Sequence, residues 1–126
     1  MELIKVARVP PMVAAPTMTV LEAAKLMAER QVGAVVVAQN AKVIGIFTER
    51  DNLQRVTAAG RDPSSTILRD VMTSPVTTAP PDLSVEEGLA KMIRSHFRHL
   101  PIVDGTGHLI GVASIRYLLM RRLGET

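Results

Sequence analysis

Residues 45–51 read GIFTERD and residues 111–117 read GVASIRY, and the two stretches stand at the same place in two copies of one unit. Sliding the chain along itself until Leu3 falls on Leu68 also sets Val6 on Val71, Pro10 on Pro75, Ala14 on Ala79 and Pro16 on Pro81. Further along, Val20 meets Val85, Glu22 meets Glu87 and Met27 meets Met92. Beyond the turn near residue 41 the register lengthens by one residue, pairing Ile44 with Ile110, Gly45 with Gly111, Arg50 with Arg116 and Leu53 with Leu119. One residue inserted in a hairpin turn accounts for the change, because turns are where insertions are tolerated. Two copies of this length point to a pseudo-two-fold pair rather than a solenoid.

Each copy has the same local grammar. Thr19-Val20-Leu21-Glu22 and Ser84-Val85-Glu86-Glu87 are capping boxes, so helices begin at residues 20 and 85. Val20, Ala24, Met27 and Ala28 share one helix face, as do Val85, Leu89, Met92 and Ile93, and each face needs a partner. AVVVA at 34–38 and VIGIF at 43–47 flank a polar turn. LPIV at 100–103 and LIGVA at 109–113 flank DGTGH, which gives a second hairpin. A second helix follows in each copy, from about residue 49 to 58 and from about 115 to 123. TAAGRDPSST at 57–66 reads as a linker. Prolines at 10, 11 and 16, and at 75, 80 and 81, favour extended lead-ins over helix. The unit is extended strand, helix, strand, strand, helix.

The bulk properties bound the function. A chain of 126 residues with 47% hydrophobic content can bury one core or two small units sharing one. With no cysteine there is no disulfide framework, thiolate nucleophile or cysteine metal site. The apolar runs fall well short of the roughly 20 residues a membrane span needs, and the charged start MELIKVARVP does not resemble a signal peptide. A soluble, cytoplasmic protein with no membrane partner is the expectation. The net charge of +3 is spread along the chain, and aromatic residues make up 2% of it. The stacking platform that single-strand nucleic-acid binders use is therefore missing, and nucleic acid is not the expected partner.

With the repeat in place, DVMT at 70–73, RHLPIVDGTGHLIGV at 98–112 and GIFTERD at 45–51 make the sequence resemble a tandem pair of CBS domains, named after cystathionine β-synthase. The resemblance implies an α/β fold of two βαββα units, residues 1–60 and 67–126 about a linker at 57–66. The units would pack sheet to sheet about a pseudo-two-fold axis, with helices outside. It also implies two clefts between units for adenosine-containing ligands (AMP, ADP, ATP or S-adenosylmethionine), assembly as a homodimer with Met72 and Met120 at its surface, and a regulatory, energy-sensing role toward an unidentified protein. No cofactor is required, and the nucleotide is a regulatory ligand.

The chemistry of the motif fits such a ligand. A carboxylate can accept from both vicinal hydroxyls of a ribose at once. In the resemblance that carboxylate is Asp51, with Thr48 on the same helical turn and Ile46 beside it, and the helix start suits a phosphate. Carried over, the same cleft takes Val76, Thr77 and Thr78 from the second lead-in and Phe97, Arg98, His99 and Leu100 from the second strand entry. Arg98 brings a permanent charge, and His99 adds one only below about pH 6.5 unless a phosphate raises its pKa. Thr48 through Asp51 is equally a capping box that needs no ligand. The second cleft would pair Ser114 and Tyr117 with Met12, Val13, Val32, Gly33 and Ala34. It offers no carboxylate and no cation, so it is expected to be degenerate, with Tyr117 either filling it or stacking on a purine.

Catalysis and metal binding lack support in the sequence. His96 and His99 precede a strand, His108 lies in a turn, and no H-E-x-x-H pattern, phosphate-binding loop or hydrolytic triad accompanies them. The reading is a non-enzymatic adenosine-ligand sensor. Its rival is an interaction module that dimerises with both clefts closed.

Overall fold

The computed structural model describes residues 1–124, and they form two compact units, one of Met12–Val76 and one of Met1–Pro11 with Thr77 onward. The first unit holds β1 (Val13–Ala14), α1 (Val20–Arg30), β2 (Ala34–Gln39), β3 (Lys42–Thr48), α2 (Glu49–Asp51) with a π turn over Asn52–Thr57, and α3 (Leu68–Val71). The second holds a 3-10 turn at Leu3–Val6, then α4 (Val85–Ser95), β4 (His99–Val103), β5 (Leu109–Ser114) and α5 (Ile115–Arg122). The fold is mixed α/β with two small sheets, as the repeat implied. The compact units nonetheless divide the chain elsewhere than at the repeat boundary, because each repeat gives its lead-in to the other repeat's unit.

That exchange is written in backbone hydrogen bonds. In the first unit β1 runs parallel to β2, and β2 is antiparallel to β3. The far edge of β3 is closed by Thr73, whose N–H donates to Ile46 O at 2.8 Å and whose carbonyl accepts from Ile46 N–H at 3.0 Å. The second unit repeats the pattern with Arg8, whose N–H donates to Val112 O at 2.9 Å and whose carbonyl accepts from Val112 N–H at 3.1 Å. Ala79 lies parallel to Ile102 as Ala14 lies to Val37.

The helix starts are tied by the same exchange. The expected capping box at Thr19 is complete, with Glu22 N–H on Thr19 Oγ1 and Thr19 N–H on Glu22 Oε1, each 3.1 Å. At α4 only half of it forms, since Ser84 Oγ accepts from Glu87 N–H while Glu87 Oε1 takes the serine hydroxyl rather than the cap's N–H. Two further first-turn N–H groups, which a helix leaves without internal partners, are met from outside the repeat. Val20 N–H donates to Thr66 O at 2.8 Å, and Val85 N–H donates to Met1 O at 2.9 Å. The 57–66 stretch is largely exposed up to Ser65 yet hydrogen-bonded: Leu21 N–H also reaches Pro63 O, and Ser64 N–H and hydroxyl both close on Asp62 Oδ1.

Three expectations change in the packed molecule. The lead-ins are not wholly extended, because Leu3–Val6 and Leu68–Val71 each form a single helical turn ahead of the prolines. That turn puts Leu3 and Leu68 into the two cores with no exposed surface. The buried helix face is accordingly Val20, Ala23 and Met27 in α1 and Val85, Gly88 and Met92 in α4, while Ala28 and Ile93 point to solvent. Ala23 and Gly88 are small because a leucine lies beside that face: a Cβ on Gly88 would come within 2.9 Å of Leu3 Cδ2. Met72, expected at a dimer surface, packs half-buried on its own unit's core over Gly45, where any Cβ would collide with its thioether.

The inserted residue lies where the register shift placed it. Gln39 and Lys42 close the first hairpin around Asn40 and Ala41, both at positive φ as a two-residue primed turn requires. Asp104 and His108 close the second around Gly105, Thr106 and Gly107, with Gly107 at φ +87°. Asp104 Oδ1 accepts from Thr106 Oγ1, Thr106 N–H and His108 N–H at 2.7, 2.9 and 3.0 Å. The Thr106 hydroxyl first, then these N–H groups, hold its carboxyl below the ordinary value of 3.8.

Two outcomes are expected. Leu3→Ala, near the chain start yet fully buried, should lower stability by about 2–5 kcal/mol in urea titration, as Leu68→Ala should. A depressed folded pKa means that the Asp104 contribution is present above the unfolded value near pH 4 and lost as pH falls through the folded one. The melting-temperature gap between wild type and Asp104→Ala should therefore be widest near neutrality and shrink below about pH 4.

Candidate functional site

Four side chains of the first unit converge at the junction of β3 and α2. The β3 strand delivers Thr48 to the helix start, where its backbone is still extended (φ −113°, ψ 166°) and its Oγ1 accepts from Asp51 N–H at 3.1 Å. Asp51 turns back, so that Oδ2 accepts from Thr48 N–H at 3.0 Å and from Thr48 Oγ1 at 3.2 Å. Oδ1 accepts from the Thr73 hydroxyl at 2.9 Å, and Arg55 Nε stands 3.7 Å from the same oxygen. Arg55 also donates through Nη1 to Met72 O at 2.9 Å. Asp51 is 6% exposed, so its charge sits among these donors rather than in water.

Both readings of T-x-x-D thus meet in one carboxylate. The capping box is formed, and the same side chain is a buried acceptor at 6% exposure. Thr73 and Arg55 are functional partners that sequence reasoning missed. Thr73 lies 22 residues away in the other repeat, and its role depends on the exchanged lead-in. Arg55 carried a weak signal, since it follows Asp51 by one helical turn. The turn that bears it is wider than the regular helix expected there: Ala58 N–H reaches Leu53 O and Arg61 N–H reaches Val56 O, both 2.9 Å and five residues apart. Widened turns of this type are rare and concentrate at functional positions.

The remaining predicted residues are divided between the units. Val76, half-buried, ends the first unit. In the second, Thr77 and Arg98 are exposed, Thr78, Phe97 and His99 are half-buried, and Leu100 is a core residue with no exposed surface. His96 is the left-handed residue that ends α4 (φ 60°), the counterpart of Gln31 after α1. Among the described residues no group of three His, Cys, Asp or Glu is placed to hold a metal ion, and no helix is long and apolar enough to cross a membrane.

The second set of residues carries different chemistry at matching positions. Met12, Val13, Gly33 and Ala34 belong to the first unit, and Ser114 and Tyr117 to the second. Ser114 Oγ accepts from Tyr117 N–H at 3.0 Å, the counterpart of Thr48 and Asp51. A cation stands beside Tyr117: the Arg8 guanidinium carbon lies 4.9 Å from the ring centroid. Arg8 matches Thr73 in the repeat, so the lead-in that bonds a carboxylate in one unit covers an aromatic face in the other.

The Asp51 cluster has a measurable cost of removal. Asp51→Ala strands Thr48 N–H and the Thr73 hydroxyl and should lower stability by about 2–3 kcal/mol in denaturant titration. Arg98→Ala, on an exposed side chain, should stay within about 0.5 kcal/mol of wild type.

The comparisons with known proteins agree with this architecture. A family model for the CBS domain matches residues 4–51 and 68–124. A CBS domain-containing protein of Bacillus subtilis is 34% identical over 110 residues, spanning 87% of this chain and 77% of that protein. A protein of Methanopyrus kandleri is 39% identical over 116 residues, 91% of this chain but 59% of that longer protein. Among solved structures, a CBS-domain protein from Burkholderia ambifaria superposes with a TM-score of 0.87 at 32% identity, covering 100% of this chain and 96% of that one. A CBS domain pair solved with 5′-methylthioadenosine and S-adenosyl-L-methionine superposes at 0.86 with 22% identity, covering 98% and 97%.

Proposed function

This chain belongs to the CBS-domain family and carries two copies of the domain, and from that premise we propose that it is a regulatory module that binds an adenosine-containing ligand through Asp51 and relays occupancy to a partner protein. The observation that carries the reading is the buried carboxylate itself, aligned by Thr48 and Thr73 on different segments. Ribose hydroxyls are natural donors for carboxylate oxygens. A chain of the same fold was solved with two adenosyl compounds, which supports the ligand class. Arg98, an exposed and permanent cation, enters the proposal as a contact for a phosphate-bearing ligand.

A second reading has its own observation. Every donor now on Asp51 comes from the chain itself, and Leu53 and Leu119 are 62% and 56% exposed at matching positions of the two repeats. That pattern suits a module that only associates with other copies.

Calorimetric titration with AMP, ATP and S-adenosylmethionine separates the two. Sensing requires binding at about one site per chain, weakened at least about ten-fold by Asp51→Asn. Arg98→Ala should weaken AMP and ATP but leave adenosine unchanged. If no adenosine compound raises the melting temperature even at millimolar concentration, the association module stands instead.

A further inference from the structure

The donors around Asp51 do not have equal standing. A carboxylate offers about four lone-pair directions. Three are taken by Thr48 N–H, the Thr48 hydroxyl and the Thr73 hydroxyl, at 2.9–3.2 Å. The fourth faces Arg55 Nε, which at 3.7 Å is in ionic contact with Oδ1 but too long for a hydrogen bond. Thr48 and Thr73 are half-buried and held by backbone pairing as well, whereas the Arg55 side chain is 50% exposed. Its second anchor is a single bond from Nη1 to Met72 O. The guanidinium therefore lies across the remaining acceptor direction of a carboxylate that is itself 9% exposed at the side chain.

We propose that Arg55 is an internal competitor, a removable cover over Asp51 that any ribose must displace before it can use the carboxylate. The proposal rests on the sensing function above and adds its regulation. An incoming ribose hydroxyl needs the one direction left, and Arg55 is the one of the four donors carried on an exposed side chain. Ligand entry then frees both ends of the arginine. The Asp51 contact is replaced by a ribose hydroxyl, and Met72 O loses its side-chain donor, so occupancy is felt at the lead-in that the other repeat contributes. The second unit has no such device, because Tyr117 stands at the position of Asp51 and leaves no carboxylate there to cover.

The test uses adenosine, which is neutral and so does not draw on the arginine as a phosphate contact. Adenosine is titrated calorimetrically into wild type, Arg55→Met, Arg55→Lys and the double variant Asp51→Asn with Arg55→Met, and ligand-free melting temperatures verify folding. Competition predicts that Arg55→Met binds at least about five-fold more tightly than wild type, that Arg55→Lys falls between them, and that the double variant loses the gain. Equal or weaker adenosine binding by folded Arg55→Met, with wild type still binding, overturns the cover and leaves the sensing function intact. If neither wild type nor Arg55→Met binds, the sensing function fails and takes the cover with it.

Discussion

A pair of backbone hydrogen bonds between Thr73 and Ile46, repeated between Arg8 and Val112, is the constraint on which the rest of the molecule depends. A β-strand edge with unmet N–H and C=O groups is a liability, and here each repeat meets the need of the other with the segment ahead of its own helix. The same segment carries a leucine into the partner core, closes over a glycine at the strand (Gly45 or Gly111) and supplies a carbonyl to a helix start. Neither repeat is complete alone: without the exchange Leu3 and Leu68 lose their cores, and Val20 and Val85 lose N–H partners.

The exchange also explains how one scaffold carries unequal chemistry. Backbone pairing places residue 8 and residue 73 identically and does not depend on their side chains. Thr73 can therefore offer a hydroxyl to a carboxylate while Arg8 offers a cation to a ring, and both tie a lead-in to the turn after a strand. The first tie is a charge-assisted hydrogen bond to a buried acceptor, a group that polar ligands can compete for. The second is a cation–π contact worth roughly 0.5–1 kcal/mol at an exposed site, and Tyr117 offers no carboxylate in place of Asp51. The aspartate in GIFTERD and the tyrosine in GVASIRY mark this division of labour.

The carboxylate of Asp51 ties three segments of the first unit together, and the proposed recognition uses the same group. A carboxylate buried for a ligand alone would be costly in the empty protein, because an unpaired buried charge is strongly disfavoured. Thr48, Thr73 and Arg55 offset that cost by surrounding the carboxylate with donors and a cation. Capping, which the motif alone leaves as one of two alternatives, is formed, and the binding proposed for Asp51 would draw on the same side chain.

Much of the fold was legible because its signals are short-range. Both helix starts, both hairpins, the second-helix positions and the single inserted turn residue follow from contacts within a few residues, which composition and spacing report directly. The carboxylate of interest was legible for the same reason, since Thr48 and Asp51 sit three apart. What only the packed chain decided is long-range: which lead-in joins which unit, the rotation of α1 and α4 that buries Ala23 and Gly88 instead of Ala28 and Ile93, the arrival of Thr73 on Asp51, and Arg8 on Tyr117. Partners far apart in sequence leave no periodicity to read. Their identity is settled when two edges and two cores compete for the same segments, and the lowest free energy goes to the arrangement that satisfies all four.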